Sequence, residues 1–517
     1  MTATLTPAVQ PGAPGVDRPS RVRRALARAR RHRDALLLFG ALPFVLAGIA
    51  RATTFAEGDT YWQITTGAEV LARRTTSLVE NDSWDAAGTP WHPNSWLYDV
   101  LVERAWVLGG WTALGLFTVL TVGAVGIAAT VVGRRLGALT PELTVVATVA
   151  LVPVIPWLSA RPQSLSYAAA VLVVGLSWSV LGGTGRRSLV LGAPALAALT
   201  ALWVNVHLAA LSGLAAVGGG VAVAVAVGPL RDVVRARSSW TAALTRLGRP
   251  LVVLVAVGLG CLASPLGTGI VAAAGHTAGA SVEIIDEWAP LWRAKPMLVL
   301  TWVAAAAALA ALLGAWRRSA GQGGTPVWLP FWVGAVAVLV AGGVTAARFS
   351  PMALLVAVPA VAAVLPVVRP ARTPWLVSRL AVTLPVAVGA AVLGVALANA
   401  ADFGRPGPLF PTEATIAAIP DGCRVLNEYD DGGLLTLLRG ADGVLISADG
   451  RNDVYGVATL MGTERLMRGA DGALDTLADE GVDCLLLMPD RPLVAQAVAA
   501  GWQLTAQDAN RVLLVRP

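Results

Sequence analysis

Cysteine is nearly absent. Three residues in 517, at positions 261, 423 and 484, exclude a disulfide framework and are too scattered for a thiolate metal centre. Charge is scarce as well: 14% of residues are charged and 56% hydrophobic, with mean hydropathy +0.66. A soluble fold of this length would need far more polar surface. Neither a phosphate-cradling G-x-x-x-x-G-K-[ST] loop nor G-x-G-x-x-G is present, which disfavours nucleotide-driven transport. No convincing internal repeat is found, against the paired halves of many transporters. Lys295 is the only lysine, so the net charge of +7 is carried by arginine. Those arginines lie in short pairs between apolar runs, not on an aromatic-studded basic domain. That pattern belongs to membrane loops and argues against nucleic acid as a partner. With abundant Ala, Gly and Val, it also points to a high-GC bacterial genome.

What the chain does have is long apolar sequence. Runs of about 17–25 residues, enough to cross a bilayer, lie near 35–51, 111–133, 140–158, 164–182, 188–204, 208–229, 250–266, 296–315, 326–345, 351–368 and 379–400. The expected fold is therefore a polytopic α-helical membrane protein with about eleven transmembrane helices. An Arg-rich tail at 1–34 precedes it and a small domain at 401–517 follows the membrane domain at 35–400. The even-numbered connections are basic, with Arg134-Arg135, Arg186-Arg187, Arg231 to Arg249, Arg317-Arg318 and Arg369, Arg372 and Arg379. The segment from Arg231 to Arg249 also reads as an amphipathic helix on the membrane surface. By the positive-inside rule the N-terminus is cytoplasmic and the C-terminal domain extracytoplasmic, in a bacterial plasma membrane.

The odd-numbered connections then share the outer face, and they hold the unusual polar residues. The longest, 52–110, carries Glu57, Asp59, Trp62, Trp91 and Trp96. Asp59, just beyond the first apolar run, suits a general base for an acceptor hydroxyl or a ligand for magnesium or manganese; a solvated acid or helix cap is the competing reading. Arg161 and Arg348, at outer helix mouths, carry planar donors that match phosphate oxygens, or they snorkel to headgroups. Asn205 and His207 interrupt an apolar run, where unpaired polar groups are costly. Glu283, Asp286 and Glu287 offer a second carboxylate, and Trp288 a stacking surface for a sugar, although most tryptophans suit an interfacial belt.

In the tail, Cys423–Tyr429, Val444–Asp449, Asp483–Pro489 and Arg511–Arg516 read as buried strands alternating with helices. That argues for a small α/β domain with a mostly parallel sheet. Asp449, Arg451 and Tyr455 follow a strand end, where such sheets bind ligands, although Asp-Gly is also ordinary turn chemistry. Cys423 and Cys484 fall on two of these strands, and whether the strands are neighbours and the cysteines pair stays open at this point.

The layout and several motifs resemble bacterial membrane proteins with a GT-C glycosyltransferase-type fold, the lipid-linked-sugar transferases. The likeness is concentrated in Asp59-x-x-Trp62, Gly67, Asp82-x-Trp84, Pro90-Trp91 and Trp96-Leu97. It extends to Arg161-Pro162-Gln163, Leu202-Trp203-x-Asn205-x-His207, Ser264-Pro265-x-Gly267, Glu287-Trp288 and Asp449-Gly450-Arg451-x-x-x-Tyr455. The resemblance implies a polyprenyl-phosphate sugar donor and a glycan, lipid or protein acceptor from the cell envelope. Asp59 would act as base or metal-associated acid, an arginine would hold the phosphate, and transfer would invert the sugar. Many relatives carry a second acid directly after the first; here that place is Thr60, which Glu57 or Glu287 would have to replace. Two other readings stay open: a non-catalytic scaffold of the same fold for envelope assembly, and a lipid or solute transporter.

Overall fold

The computed structural model describes residues 37–53, 55–282, 285–321, 324–368 and 374–517. The Arg-rich tail at 1–34, Glu283, Arg369 and Arg372 lie outside the described residues.

The apolar runs form helices, with α2 and α9 added by the connections between them: α1 (Leu37–Ala52), α2 (Asp59–Arg73), α3 (Trp96–Arg135), α4 (Thr140–Val154), α5 (Pro162–Leu181), α6 (Gly192–Val206), α7 (Ala210–Val225), α8 (Gly248–Leu262), α9 (Ile270–Ser281), α10 (Pro296–Gly321), α11 (Leu329–Thr345), α12 (Phe349–Val368) and α13 (Pro374–Ala398). Among the described residues, seven helical stretches are long and apolar enough to cross a membrane, and four shorter apolar helices coincide with the first and the last three runs. The chain is thus a multi-pass membrane protein. Small residues bring helices together: a Cβ at Gly126 or Gly48 of α3 and α1 would overlap the facing backbone at Ala41 or Val119.

The connection at 52–110 is more ordered than its polar sequence suggests. It holds α2, a two-stranded ribbon of β1 (Leu78–Val79) and β2 (Pro90–Trp91), and the first turns of α3. Gly109 and Gly110 leave helical geometry, with Gly110 at φ +54°, so α3 is kinked between its polar start and its apolar length.

The tail forms a five-stranded sheet in the order β4 (Val444–Ile446), β3 (Cys423–Asn427), β5 (Cys484–Leu487), β7 (Val512–Val515) and β6 (Gln503–Gln507). The expected mostly parallel sheet is corrected to a mixed one: β4, β3 and β5 run parallel, whereas β7 pairs antiparallel with both β5 and β6. The strand β6 reads Gln-Leu-Thr-Ala-Gln and is mostly exposed, so it lacks the apolar signal of a buried strand. Cys423 and Cys484 are disulfide-bonded across β3 and β5.

The tail is welded to the connection at 52–110. Trp84 N–H donates to the Ile446 carbonyl at 3.1 Å and Ile446 N–H to the Asp82 carbonyl at 3.0 Å, covering the free edge of β4. The indole of Trp84 reaches the Val425 carbonyl at 3.1 Å. The carboxyl ends of β3 and β4 consequently face the start of α2.

Candidate functional site

Asp59 is the first residue of α2 and follows Gly58 directly. A carboxylate in a helix's first turn faces the positive end of the helix dipole. Gly58 is required by space, because a Cβ there would overlap the Asp430 carbonyl. On the next residue, the buried Thr60 hydroxyl donates to the Ala160 carbonyl at 2.7 Å. That bond ties the start of α2 to the residue before Arg161. The Thr60 position is thus used to align Asp59 with Arg161.

Arg161 precedes Pro162, and the residue before proline is driven to extended geometry; here φ is −123° and ψ 158°. Its side chain therefore leaves the helix start and reaches two acids. One guanidinium nitrogen lies 2.6 Å from Asp59 Oδ2 and another 3.3 Å from Glu287 Oε1. The Trp62 indole donates to the other Asp59 oxygen at 3.2 Å.

Glu287 lies on a short turn, Asp286–Trp288. The segment after it pairs with the start of α12: Arg348 N–H donates to the Glu287 carbonyl at 2.9 Å and Ala347 N–H to the Ala289 carbonyl at 3.1 Å. This pairing lays the Arg348 guanidinium over the Trp288 ring, 4.0 Å from its centroid. Both residues line a cavity of about 450 Å³ whose other walls, including Leu211, Leu339 and Phe349, are largely apolar. His207 lines it as well and contacts the Ser166 hydroxyl through Nδ1 at 2.8 Å.

Most of the predicted residues thus fall into two groups. Asp59, Trp62, Arg161, Glu287, Trp288, Arg348 and His207 form one continuous line ending at the cavity. Glu57 stands beside it, ion-paired with Arg51, whose Nε also donates to the Leu158 carbonyl at 2.6 Å. Burial raises the Glu57 pKa, opposed by Arg51 and Arg161. Asn205 accepts from the Trp96 indole at 2.7 Å and donates to the Ala201 and Ala263 carbonyls, so both residues act as a tie between α3, α6 and the end of α8.

The second group is sealed. Arg451 is buried with Asp449 and Glu80: it lies 2.7 Å from Asp449, is ion-paired with Glu80, and reaches the Tyr455 hydroxyl at 3.0 Å. Trp91 packs on it at 5.4 Å. Asp449, Arg451 and Tyr455, expected to line a pocket, instead lock the tail to the connection at 52–110. The two groups meet at Gly450, where a Cβ would overlap Asp59 Oδ1 and crowd the Trp62 indole.

Sequence reasoning missed Arg51 and Glu80 as partners and Asp430 as a neighbour; burial, and then the Asp59 charge, raise the Asp430 pKa. An arginine ending an apolar run was a signal that an acid would be found nearby.

A divalent cation at Asp59 does not suit this donor set. Arg161 already stands between Asp59 and Glu287, and among the described residues no group of three or more His, Cys, Asp or Glu could hold a metal ion.

No family model matches the chain, and no curated protein does either. Solved structures do. The oligosaccharyltransferase of Archaeoglobus fulgidus in its apo form aligns over 88% of this chain and 69% of its own, at TM-score 0.55 and 11% identity. ArnT from Cupriavidus metallidurans bound to undecaprenyl phosphate aligns over 93% of this chain and 98% of its own, at TM-score 0.55 and 14% identity. The A. fulgidus oligosaccharyltransferase AglB with an inhibitory peptide and a dolichol-phosphate aligns over 89% and 70%, at TM-score 0.54 and 10% identity. The fold is therefore the GT-C glycosyltransferase fold, carrying a C-terminal sheet domain.

Proposed function

We propose that the chain is a membrane glycosyltransferase that moves a sugar from a polyprenyl-phosphate donor to an acceptor of the cell envelope. The observation that carries this reading is the continuous line from Asp59 through Arg161 and Glu287 to Arg348, ending at an apolar-walled cavity. The undecaprenyl phosphate and dolichol-phosphate in structures of the same fold agree with it. In this reading the donor's phosphate meets Arg348 at the polar end of the cavity, and its prenyl chain runs along the apolar walls. The acceptor hydroxyl loses its proton to Asp59 as its oxygen bonds to the anomeric carbon. The bond from that carbon to the phosphate oxygen breaks, and the lipid phosphate leaves with the electron pair. Attack opposite the leaving group inverts the sugar.

Arg161 is the positioning residue: shared between two acids, it can shift toward Glu287 as Asp59 takes up the proton. Trp288 and Trp62 offer ring faces for the sugar. The outer face of a bacterial plasma membrane is the location this reading favours. The Cys423–Cys484 disulfide in the tail supports it, since disulfides persist in oxidising compartments.

The close seat of Gly450 on Asp59 favours the scaffold reading instead. Sugar transfer by the purified protein in lipid, with a panel of polyprenyl-phosphate sugars, separates the two. Transfer by the wild type that Asp59→Asn abolishes supports the enzyme; a wild type inert with every donor rejects it in favour of the scaffold.

A further inference from the structure

A second cavity, of about 650 Å³, lies at the opposite membrane end from Asp59, where α5 finishes, α7 runs out and α10 and α11 meet. Its character differs from the first. Three arginines line it, Arg231, Arg246 and Arg249, beside the indoles of Trp178 and Trp316.

The backbone is built to return these arginines to the cavity. After α7 the chain leaves α-helical geometry at Gly228 (φ −104°, ψ −105°), next to Pro229, and then forms two short helices, Arg231–Val234 and Trp240–Thr245. The Arg249 guanidinium is fixed by the Val180 carbonyl at 2.8 Å, the Ser188 hydroxyl at 2.9 Å and the Gly185 carbonyl at 3.2 Å. None of these partners carries charge. Arg246 meets Asp232 at 3.2 Å, and Arg231 has no acidic partner among the described residues. Three positive charges thus face one carboxylate, and an anion is what the site lacks.

The same two helices leave Val234, Trp240 and Leu244 exposed, at 76%, 64% and 61%. Large apolar side chains interleaved with Arg235, Arg237 and Arg246 at the end of membrane helices are the pattern of a segment lying in the headgroup layer. That depth sets the cavity at the height of lipid phosphates. Basic pockets between membrane helices hold anionic headgroups through charge and arginine donors.

We infer that this cavity binds an anionic glycerophospholipid of the leaflet opposite the Asp59 site. Its phosphodiester meets Arg231 and Arg246 while an acyl chain enters along Leu181, Val225 and Val227. The inference is independent of the transferase reading.

The test is native mass spectrometry of the full-length protein released from micelles, loaded with phosphatidylglycerol or phosphatidylcholine of the same chains. Each arginine near a membrane surface contributes about 1 kcal/mol toward an anionic lipid, so with Arg231 and Arg246 together retention of phosphatidylglycerol should exceed that of phosphatidylcholine by about thirtyfold. The Arg231→Ala/Arg246→Ala variant should bring the two lipids to parity, with an unchanged melting temperature as the control for folding. Val227→Trp, which fills the cavity and leaves every charge in place, should lower retention of both lipids. Equal retention of both lipids by the wild type overturns the inference, as does selectivity that survives both variants. Displacement of the lipid by millimolar inorganic phosphate would make this a free-phosphate site. Preferential retention of undecaprenyl phosphate, lost in the double variant, would assign it to the prenyl carrier. Either result also overturns the inference.

Discussion

Arg161 and Arg451 stand on either side of Gly450, and each gathers carboxylates from segments far apart in the chain. The surroundings differ. Around Arg161 the side chains of Asp59 and Glu287 remain 23% and 26% exposed and the arginine itself 17%. Around Arg451 the figures are 0% for Glu80, 0% for Asp449 and 3% for the arginine. The first cluster passes through Glu287 to a cavity; the second is covered by Tyr455, Trp91 and the tail sheet and meets solvent only at its outer acid, Asp82. Residue types alone do not separate a reactive cluster from a structural one. What separates them is whether a ligand can reach the charge, and whether losing a charge leaves its partner stranded away from water.

The comparison breaks most sharply by exchanging what each cluster is asked to do. Asp59→Asn should reduce sugar transfer by about 10²–10⁴-fold, the usual contribution of a positioned general base. Because its ion pair is partly solvated, stability should change by no more than about 1 kcal/mol. Transfer and melting measured on the same preparation check both halves. A large loss of stability with modest loss of transfer would make the Asp59 cluster structural too.

Arg451→Met should act in the reverse sense. It leaves Glu80 and Asp449 buried without their counter-charge, which costs about 3–5 kcal/mol. Limited proteolysis and melting of the tail should register this first. Loss of transfer should appear only as far as the tail detaches. An Arg451→Met protein that melts like the wild type would remove the idea of a latch.

Gly450→Ala sharpens the contrast, because this residue belongs to both clusters. The added Cβ overlaps Asp59 Oδ1, and the carboxylate can give way where backbone cannot. Overpacking of this kind costs about 1–3 kcal/mol. Here much of it should appear as misplacement of Asp59, with transfer falling more than stability does. A variant with full transfer would show that Asp59 need not hold the position described.

How much of this was legible beforehand follows from the range of each interaction. The apolar runs depend on composition over about 20 residues, and they became helices. Arg161 and Arg348 were legible because an arginine at a helix mouth is a local event, and Asn205 and His207 because polar residues broke apolar sequence. The partnership of Arg451 with Glu80 spans 371 positions, and no local pattern announces it. Asp449-Gly450-Arg451 consequently read as a pocket loop when it is a buried latch. The exposed strand β6 was missed for a related reason: an edge strand has no apolar alternation of its own and takes its shape from its neighbour. The order within 52–110, dense in Trp and Asp, became visible only once the tail covered it.

The smallest expected effect concerns pH. Three carboxylates, Glu80, Asp82 and Asp449, share the single guanidinium of Arg451. Burial, opposed by Arg451 and reinforced by Asp449 and Asp82, pushes the Glu80 pKa from 4.5 up to about 7; burial likewise raises Asp82. A carboxyl whose pKa is higher in the folded state binds its proton more tightly there than in the unfolded chain. Its contribution is fully present below pH 4.5 and is lost as pH rises through 7. The tail should therefore hold to the connection at 52–110 more firmly at pH 5 than at pH 8, by about 2 kcal/mol at most. Melting of the tail across this range, compared with Glu80→Gln, isolates the effect. The variant stays neutral at every pH, so its profile should lose most of that slope. A wild-type tail that grows more stable from pH 5 to pH 8 would show that all three acids ionise comfortably around one arginine. The latch would then be held by hydrogen bonding to its carboxylates and not by a shared proton.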